Sequence, residues 1–441
     1  MTKCNNQESL FPRTSNRRVE VDFTGGNVSS DGGLLLLRQV DRKLGLLNAI
    51  ARRLEDPRRQ KSCRHSLPQI LRQRVFGICL GYEDLNDHDH LRVDLGMQTA
   101  VGRSVALASG STLCRWENRA AREAAVRVHE VLWEKFIASY STPPKELILD
   151  FDATDDRVHG KQEGRFFHGY YDDYCFLPLY VFCGEQLLAA YLRESKIDGA
   201  HHAGAVLKLL VKRLRLAWPG VRIVFRGDSG FCRQLILRWC ERNGVKYIVG
   251  LARNRRLEAM AEQWMKRAEA RQKQSGIPQK YFREVRYAAG TWNRKRRVIV
   301  KAEVTDKGRN PRFLVTNLEG RPSDLYENLY CARGEAENRI KEQQLDLFAD
   351  RTSAHDWWTN QFRLLLSSLG YTLMEAIRRL GLRGTELEKA RCQTIRLRLL
   401  KIGAVIIRNT RRIQFHLASG YPYQDLFWTV ARRLSLVPAP S

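Results

Sequence analysis

The apolar positions change period twice along the chain. From about 30 to 140 they recur at helical spacing, in LLLLRQVDRKLGLLNAIARRL, SLPQILRQRVFGICLGYEDL and REAAVRVHEVLWEKFIASY. STPPKE at 141–146 breaks that pattern. The runs that follow are strand-like: ELILDFDAT, CFLPLYVFCG and EQLLAAYLRES, the last two joined across a tight turn at Gly184. A helical run, GAVLKLLVKRLRLAW, separates these from RIVFRGD, and RQLILRWCERN separates RIVFRGD from VKYIVGLA. The order β-β-β-α-β-α-β predicts an α/β fold with a mixed sheet, three antiparallel strands followed by crossover-linked parallel ones. A basic helical run and three alternating segments, YFREVRYA, RRVIVKAEV and PRFLVTNL, then predict a β-rich insertion at 253–324. Helical spacing returns at 330–344 and 360–380 before a basic helix-and-strand tail. The expected organisation is a helical N-terminal region at 1–140, a core at 145–252 and 325–380, and a basic region at 381–441. Residues 1–20, polar and basic, read as a loose arm.

The chemistry-bearing residues sit at the ends of these elements. In YCARGEAENRIKEQQ (330–344), a 3.6-residue period puts Tyr330, Arg333, Glu337, Lys341 and Gln344 on one stripe. A helix that only had to pack would place aliphatics there. A solvated face laced with pairs such as Glu337 with Lys341 is the commoner meaning of such a stripe. Two other segments alter it. LILDFDATDD ends an aliphatic strand in carboxylates, and RIVFRGDSGF ends another in Asp228 before a Ser-Gly turn. If these strands are neighbours, Asp152 and Asp228 lie side by side at one sheet edge, and Glu337 can complete a carboxylate triad. Like charges held that close repel unless a cation intervenes, and Mg2+ or Mn2+, as a pair of ions, suits oxygen donors and phosphoryl chemistry. Strand alternation puts Ile148, Asp150 and Asp152 on one face and Leu149 and Phe151 on the other. Asp150 and Asp152 are then about 6.5–7 Å apart, too far to ligate one ion equivalently. Asp152, at the strand end, is the expected ligand, and Asp150 the expected supporting acid. Arg333 and Lys341 can hold phosphates, and Tyr330 can stack on a base or donate to a phosphate.

Composition narrows the partner. The chain carries 75 Lys and Arg against 48 Asp and Glu, a net charge of +27 over 441 residues, which points to a polyanion, nucleic acid first. With 43% hydrophobic residues the chain can bury a core of more than one domain. No apolar run reaches the roughly 18–20 residues of a membrane span, and no apolar signal core opens the chain, so no membrane role and a cytoplasmic protein are expected. Ten cysteines form no C-x-x-C pair and read as reduced packing residues rather than zinc ligands. LASGSTLCRWENR (107–119) has the form of a helix-turn-helix second helix, with Ser111 or Thr112 as cap and Arg115, Asn118 and Arg119 outward. DLNDHDH (84–90) resembles a metal-ligand run, but its place between helices favours capping and turn roles.

The D-A-T at 152–154, R-G-D-S-G-F at 226–231 and Y-x2-R-x3-E at 330, 333 and 337 together resemble the DDE transposases of bacterial insertion sequences. More narrowly, they are similar to the subgroup with a Y-R-E-K signature and a β-strand insertion before the glutamate. HGKQEGRFFHGYYDDYCFLPLYVF is similar to that family too. The resemblance covers roughly 145–380. It implies a ribonuclease-H-like core and Mg2+-dependent cutting of double-stranded DNA at terminal inverted repeats. It also implies strand transfer into target DNA by a homodimer, in a nucleoid-associated bacterial protein. Carried over by position, Asp152, Asp228 and Glu337 are the metal-binding catalytic acids and Tyr330 and Arg333 the phosphate contacts. One position departs: the signature lysine seven residues after the glutamate is Gln344 here, and Lys341, one turn earlier, is the candidate substitute. Two other readings fit parts of the sequence. A non-catalytic DNA-binding regulator would have no reason to keep three facing carboxylates, and a plain ribonuclease-H-fold nuclease would not need the insertion.

Overall fold

A computed structural model describes residues 11–435; the first ten residues of the expected N-terminal arm, with Cys4, lie outside it. Eight strands form the main sheet: β1 (Glu146–Ala153), β2 (Leu179–Cys183), β3 (Gln186–Tyr191), β4 (Arg222–Gly227), β5 (Lys246–Leu251), β6 (Gln279–Tyr287), β7 (Arg296–Thr305) and β8 (Arg312–Thr316). Their order is β6-β7-β8-β5-β4-β1-β2-β3, and Gly308–Arg309 adds a ninth short strand on β7. β4 runs parallel to both β1 and β5, and the other neighbours are antiparallel. The five core strands therefore lie in the order 3-2-1-4-5, with the ends of β1 and β4 adjacent.

The insertion is not a separate sheet. β8 pairs with β5 from Thr316–Ile248 to Phe313–Leu251, so the core sheet continues through β7 to β6. One segment departs from the sequence reading. CFLPLYVFCG, expected as a single strand, is divided at Pro178. Asp173–Phe176 joins a small sheet with Asp156–Arg157 and Phe166–His168, and Leu179–Cys183 joins the main one. Proline has no N–H for a ladder, and its carbonyl instead accepts from the Thr154 amide at 3.3 Å. At the β2–β3 turn, Gly184 takes φ +59°, a conformation that side chains with a Cβ resist.

Each sheet face buries different residues. Leu147, Leu149 and Phe151 of β1 pack with Phe225 of β4 beneath helices Ala203–Ala217, Gln234–Arg242 and Arg255–Ser275. The opposite face, with Val224 of β4, Ile248 of β5 and Ile148 of β1, lies under the helical segment that begins at Pro322. Helix Trp357–Ala376 buries sixteen of its twenty residues, so it is covered all round. It packs on β3 on one side and on Leu67–Leu80 and Arg122–Ala138 on the other. Its Gln361 accepts from the Leu192 amide at 2.7 Å and donates to the Ala190 carbonyl at 3.1 Å, closing the free edge of β3. The N-terminal helices and the C-terminal region share one apolar core with this helix. The termini also meet in a sheet, where Val28–Ser29 pairs with Ala404–Arg408.

A square of charges, three of its four members buried, links the glutamate-bearing segment to the helical run that continues that central helix. Glu342 and Arg378, each with a side chain 1% exposed, pair at 2.6 Å. Arg339 bonds Glu342 at 2.7 Å and Glu185 at 2.6 Å, and Arg378 reaches Glu185 at 3.2 Å. Burial would raise the Glu342 pKa, but Arg378, the Cys392 thiol and Arg339 outweigh it and hold the carboxyl below its ordinary range. Removing one member strands a buried charge. Arg378→Met should therefore cost about 3–5 kcal/mol in urea unfolding; a loss under about 1 kcal/mol would mean that the square is not what fixes the segment.

Candidate active site

The sheet register brings the two aspartates together. β1 and β4 pair from Glu146–Arg222 to Phe151–Gly227, so the next residues, Asp152 and Asp228, stand side by side where the strands part. Asp152 is 7% exposed, and its carboxylate accepts from the Ala153 amide at 2.9 Å. Asp228 caps the turn that follows β4, accepting from the Gly230 amide at 2.8 Å.

The third carboxylate arrives on an irregular helix. The sequence predicts one regular helix over 330–344. The chain instead runs as π-helical turns at Leu325–Tyr330, a 3-10 turn at Cys331–Arg333, α-helix at Gly334–Lys341 and π-helical turns at Glu342–Asp346. Mixed winding of this kind arises where side-chain anchors override the regular ladder, and two are visible. Arg226 donates to the Leu329 carbonyl at one end, and Gln344 donates to the Asp155 carbonyl at 2.8 Å at the other. Between them Arg333 reaches Asp152 at 3.2 Å and Glu337 at 2.5 Å, so one guanidinium bridges two of the three acids.

Burial is the main reason that Asp152 is pushed up to about 7, with Asp228 and Glu337 adding to the rise and Arg333 opposing it. Burial works against the Arg333 charge, but Asp152 and Glu337 hold its pKa above the ordinary value. Tyr330 is also raised, first by burial, with Asp228 among its charged neighbours. A Cβ built at Gly250 would lie 2.8 Å from the Tyr330 hydroxyl and 2.6 Å from the Ser229 amide nitrogen. Glycine at this position of β5 thus lets the tyrosine close over the Asp228 turn.

Asp150, in register with Arg226, takes a different role from Asp152. The two side chains form a buried two-point ion pair, one arm at 2.6 Å. Burial raises the Asp150 pKa, against the pull of Arg226. Arg226 thereby joins β1, β4 and the glutamate segment, a function that the sequence reading missed. The signal was present in RGD: Arg226 lies two residues before Asp228, on the same face of the strand. Tyr171 was missed too. Its hydroxyl is pushed up to about 12, chiefly by burial, with Asp155 and Asp152 among the charges near it.

The remaining sequence candidates lie elsewhere. Lys341 is exposed at the last α-helical position, while Gln344 holds the loop after β1. Arg115, Asn118 and Arg119 are exposed on or just after helix Gly110–Glu117. That helix starts after Ser109, not at Ser111 or Thr112, because Asp89 reaches across to accept from the Gly110 amide at 3.0 Å. DLNDHDH is not all loop: Asp87–Leu91 forms a short helix, in which Asp87 accepts from the Asp84 amide, Asp89 caps Gly110, and burial pushes His88 down to about 3. The nine described cysteines are all free. Among the described residues, no three His, Cys, Asp or Glu side chains converge closely enough to hold an ion as they stand, and no helix is long and apolar enough to cross a membrane.

A folded Asp152 pKa near 7, above its unfolded value near 3.8, has a definite sign. The folded chain keeps a proton that the unfolded chain has lost between those values, so the contribution is intact below about 3.8 and is lost as pH rises through about 7. Asp152→Asn removes that loss. With chelator present, the variant should gain about 1–3 kcal/mol on the wild type between pH 5 and 8.5 in urea unfolding. A difference that does not change with pH would contradict the burial of a repelled carboxylate.

No curated protein matches the sequence. Among solved structures, the chain aligns with a piggyBac transposase from a cryo-EM synaptic complex with hairpin DNA. Identity is 10% over 92% of this chain and 82% of that one, with a TM-score of 0.44. The family described as Transposase DDE domain group 1 matches residues 11–439, nearly the whole sequence, and the chain belongs to that family.

Proposed function

We propose that this protein is a DNA transposase that binds double-stranded DNA at the terminal inverted repeats of its element, cuts there, and joins the ends to target DNA. In this reading the five core strands are a ribonuclease-H-like core. The signature is that of the Y-R-E-K subgroup with Gln344 in the lysine position, and two copies act together on paired ends. The observation that supports the reading is that Asp152 and Asp228 follow paired strand ends while Arg333 bridges Asp152 to Glu337, so that acids from three distant parts of the chain are brought near one another.

The residues suit Mg2+ or Mn2+: every donor is a carboxylate oxygen, and Asp152 and Glu337 already share one positive group. Asp152, Asp228 and Glu337 would hold two such ions, whose chemistry there would be to activate the attacking oxygen and steady the leaving oxygen of a phosphodiester. The chain's own part is positioning. Asp150 and Arg226 fix the β1 and β4 ends, and Gln344 fixes the loop after Asp152. Arg333 and Tyr330 contact the scissile phosphate group, and exposed Lys341 contacts a flanking one. Arg115 and Arg119 reach DNA from the N-terminal region.

The test uses full-length protein and DNA carrying the ends of its own element. Asp152→Asn, Asp228→Asn and Glu337→Gln should each lower cleavage by about 10³-fold or more while end binding persists. Chelator should stop the wild type. Asp150→Asn, still able to hydrogen-bond Arg226, should keep measurable cleavage. Full cleavage in chelator, or an active Asp152→Asn beside an inactive Asp150→Asn, would overturn the assignment.

A further inference from the structure

Arginines on the N-terminal helices commonly end on carboxylates. Arg53 pairs with Glu130 and Glu134, Arg72 with Asp41, Arg74 with Glu117, and Arg127 with Glu130. Beside helix Gly110–Glu117 that habit stops. A cleft of about 400 Å3 opens there, lined by Arg58, Arg59, Arg64, Arg92, Arg115 and Arg119, with no aspartate or glutamate in its wall. Arg58 pairs with Asp56 at 2.6 Å; among the described residues the other five form no ion pair.

Three details show that positive charge is concentrated rather than merely exposed. The Arg92 Nε is buried without a hydrogen-bond partner. His65, in the same wall, has its pKa lowered by burial and then by Arg103, Arg64, Arg92 and Arg58. The hydroxyls of Ser109 and Thr112 also line the cleft and can donate to an anion. Unpaired guanidiniums repel one another, and one inorganic phosphate would leave most of the five uncompensated. A DNA backbone, with one charge per about 1.7 Å of duplex axis, can meet them all. Exposed Arg59 and Arg64 face the same opening as Arg115 and Arg119, so the 58–65 segment and the helix form two walls of one groove.

We propose that this groove binds the phosphate backbone of duplex DNA, as a contact separate from the acid-bearing site and independent of base sequence. The proposal rests on the reading of this chain as a DNA-handling enzyme. It adds to that reading the 58–65 segment and Arg92, and it gives Arg115 and Arg119 a role on the DNA backbone.

The experiment is fluorescence anisotropy of the full-length protein with a labelled random-sequence duplex, titrated with KCl. Arg59→Ala/Arg64→Ala/Arg115→Ala should weaken binding by about 10-fold or more and flatten the log Kd against log [KCl] slope by about 2–3, near 0.9 per lost phosphate contact. Lysine at the same three positions should restore the slope, which a purely structural defect in the alanine variant would not predict. A folded alanine variant with wild-type slope and affinity would overturn the groove and leave the enzyme reading standing. Displacement of the duplex by inorganic phosphate at constant ionic strength would overturn it in favour of a small-anion site. A wild type that binds no duplex at all would remove both readings together.

Discussion

Two aspartates, Asp152 and Asp228, stand at one edge of the sheet, and Arg333 ties the first of them to Glu337 on a neighbouring helix. β1 and β4 must be neighbours and parallel for Asp152 and Asp228 to meet, which requires the helix Ala203–Ala217 to cross between them. Arg333 supplies the compensating charge to Asp152 and Glu337. Even so, Asp152 is pushed up to about 7, chiefly by burial, with Asp228 and Glu337 adding to the rise. A pocket in this condition favours a cation far more than an ordinary surface acid does.

The glutamate segment could not deliver Glu337 to that edge as a free helix. It is tied at Leu329 by Arg226, at Arg339 by Glu185, at Glu342 by Arg378, and at Gln344 to the Asp155 carbonyl. These ties run in different directions, which accounts for winding that alternates among π, 3-10 and α turns. The most regular part, Gly334–Lys341, is the part that carries Glu337. Arg378 belongs to the helix continuing from Trp357–Ala376, so the acid site is braced by the same helix that joins the N-terminal region to the sheet.

Much of this was legible in the sequence because it rests on local periodicity. Alternation in LILDFDA gave the faces of Ile148, Asp150 and Asp152, and the helical period put Arg333 and Glu337 on one stripe, although Glu337 pairs there with Arg333 and not with Lys341 as the sequence suggested. What was hidden depends on partners distant in the chain. Period-2 patterning marks β6, β7 and β8 as strands but cannot tell that β8 pairs with β5 instead of forming its own sheet. The capping of the Gly110 amide by Asp89, twenty-one residues away, defeats a reading confined to the cap position itself. Gln344 looked like a vacancy in a signature, whereas its amide makes a neutral contact with a backbone carbonyl. The positive surplus was visible as a total, but the segregation of unpaired arginines beside helix Gly110–Glu117 depends on folding.

The central claim is that acids at 152, 228 and 337 share one cation site. Replacing Mg2+ by Fe2+ with ascorbate in the intact protein tests it most directly, since radicals formed at the bound ion cut the nearby backbone. The account predicts fragments ending near all three positions, suppressed together by excess Mg2+. Cuts confined to another region, such as the acidic and histidine-rich run at 84–90, or cuts that Mg2+ does not suppress, would contradict it.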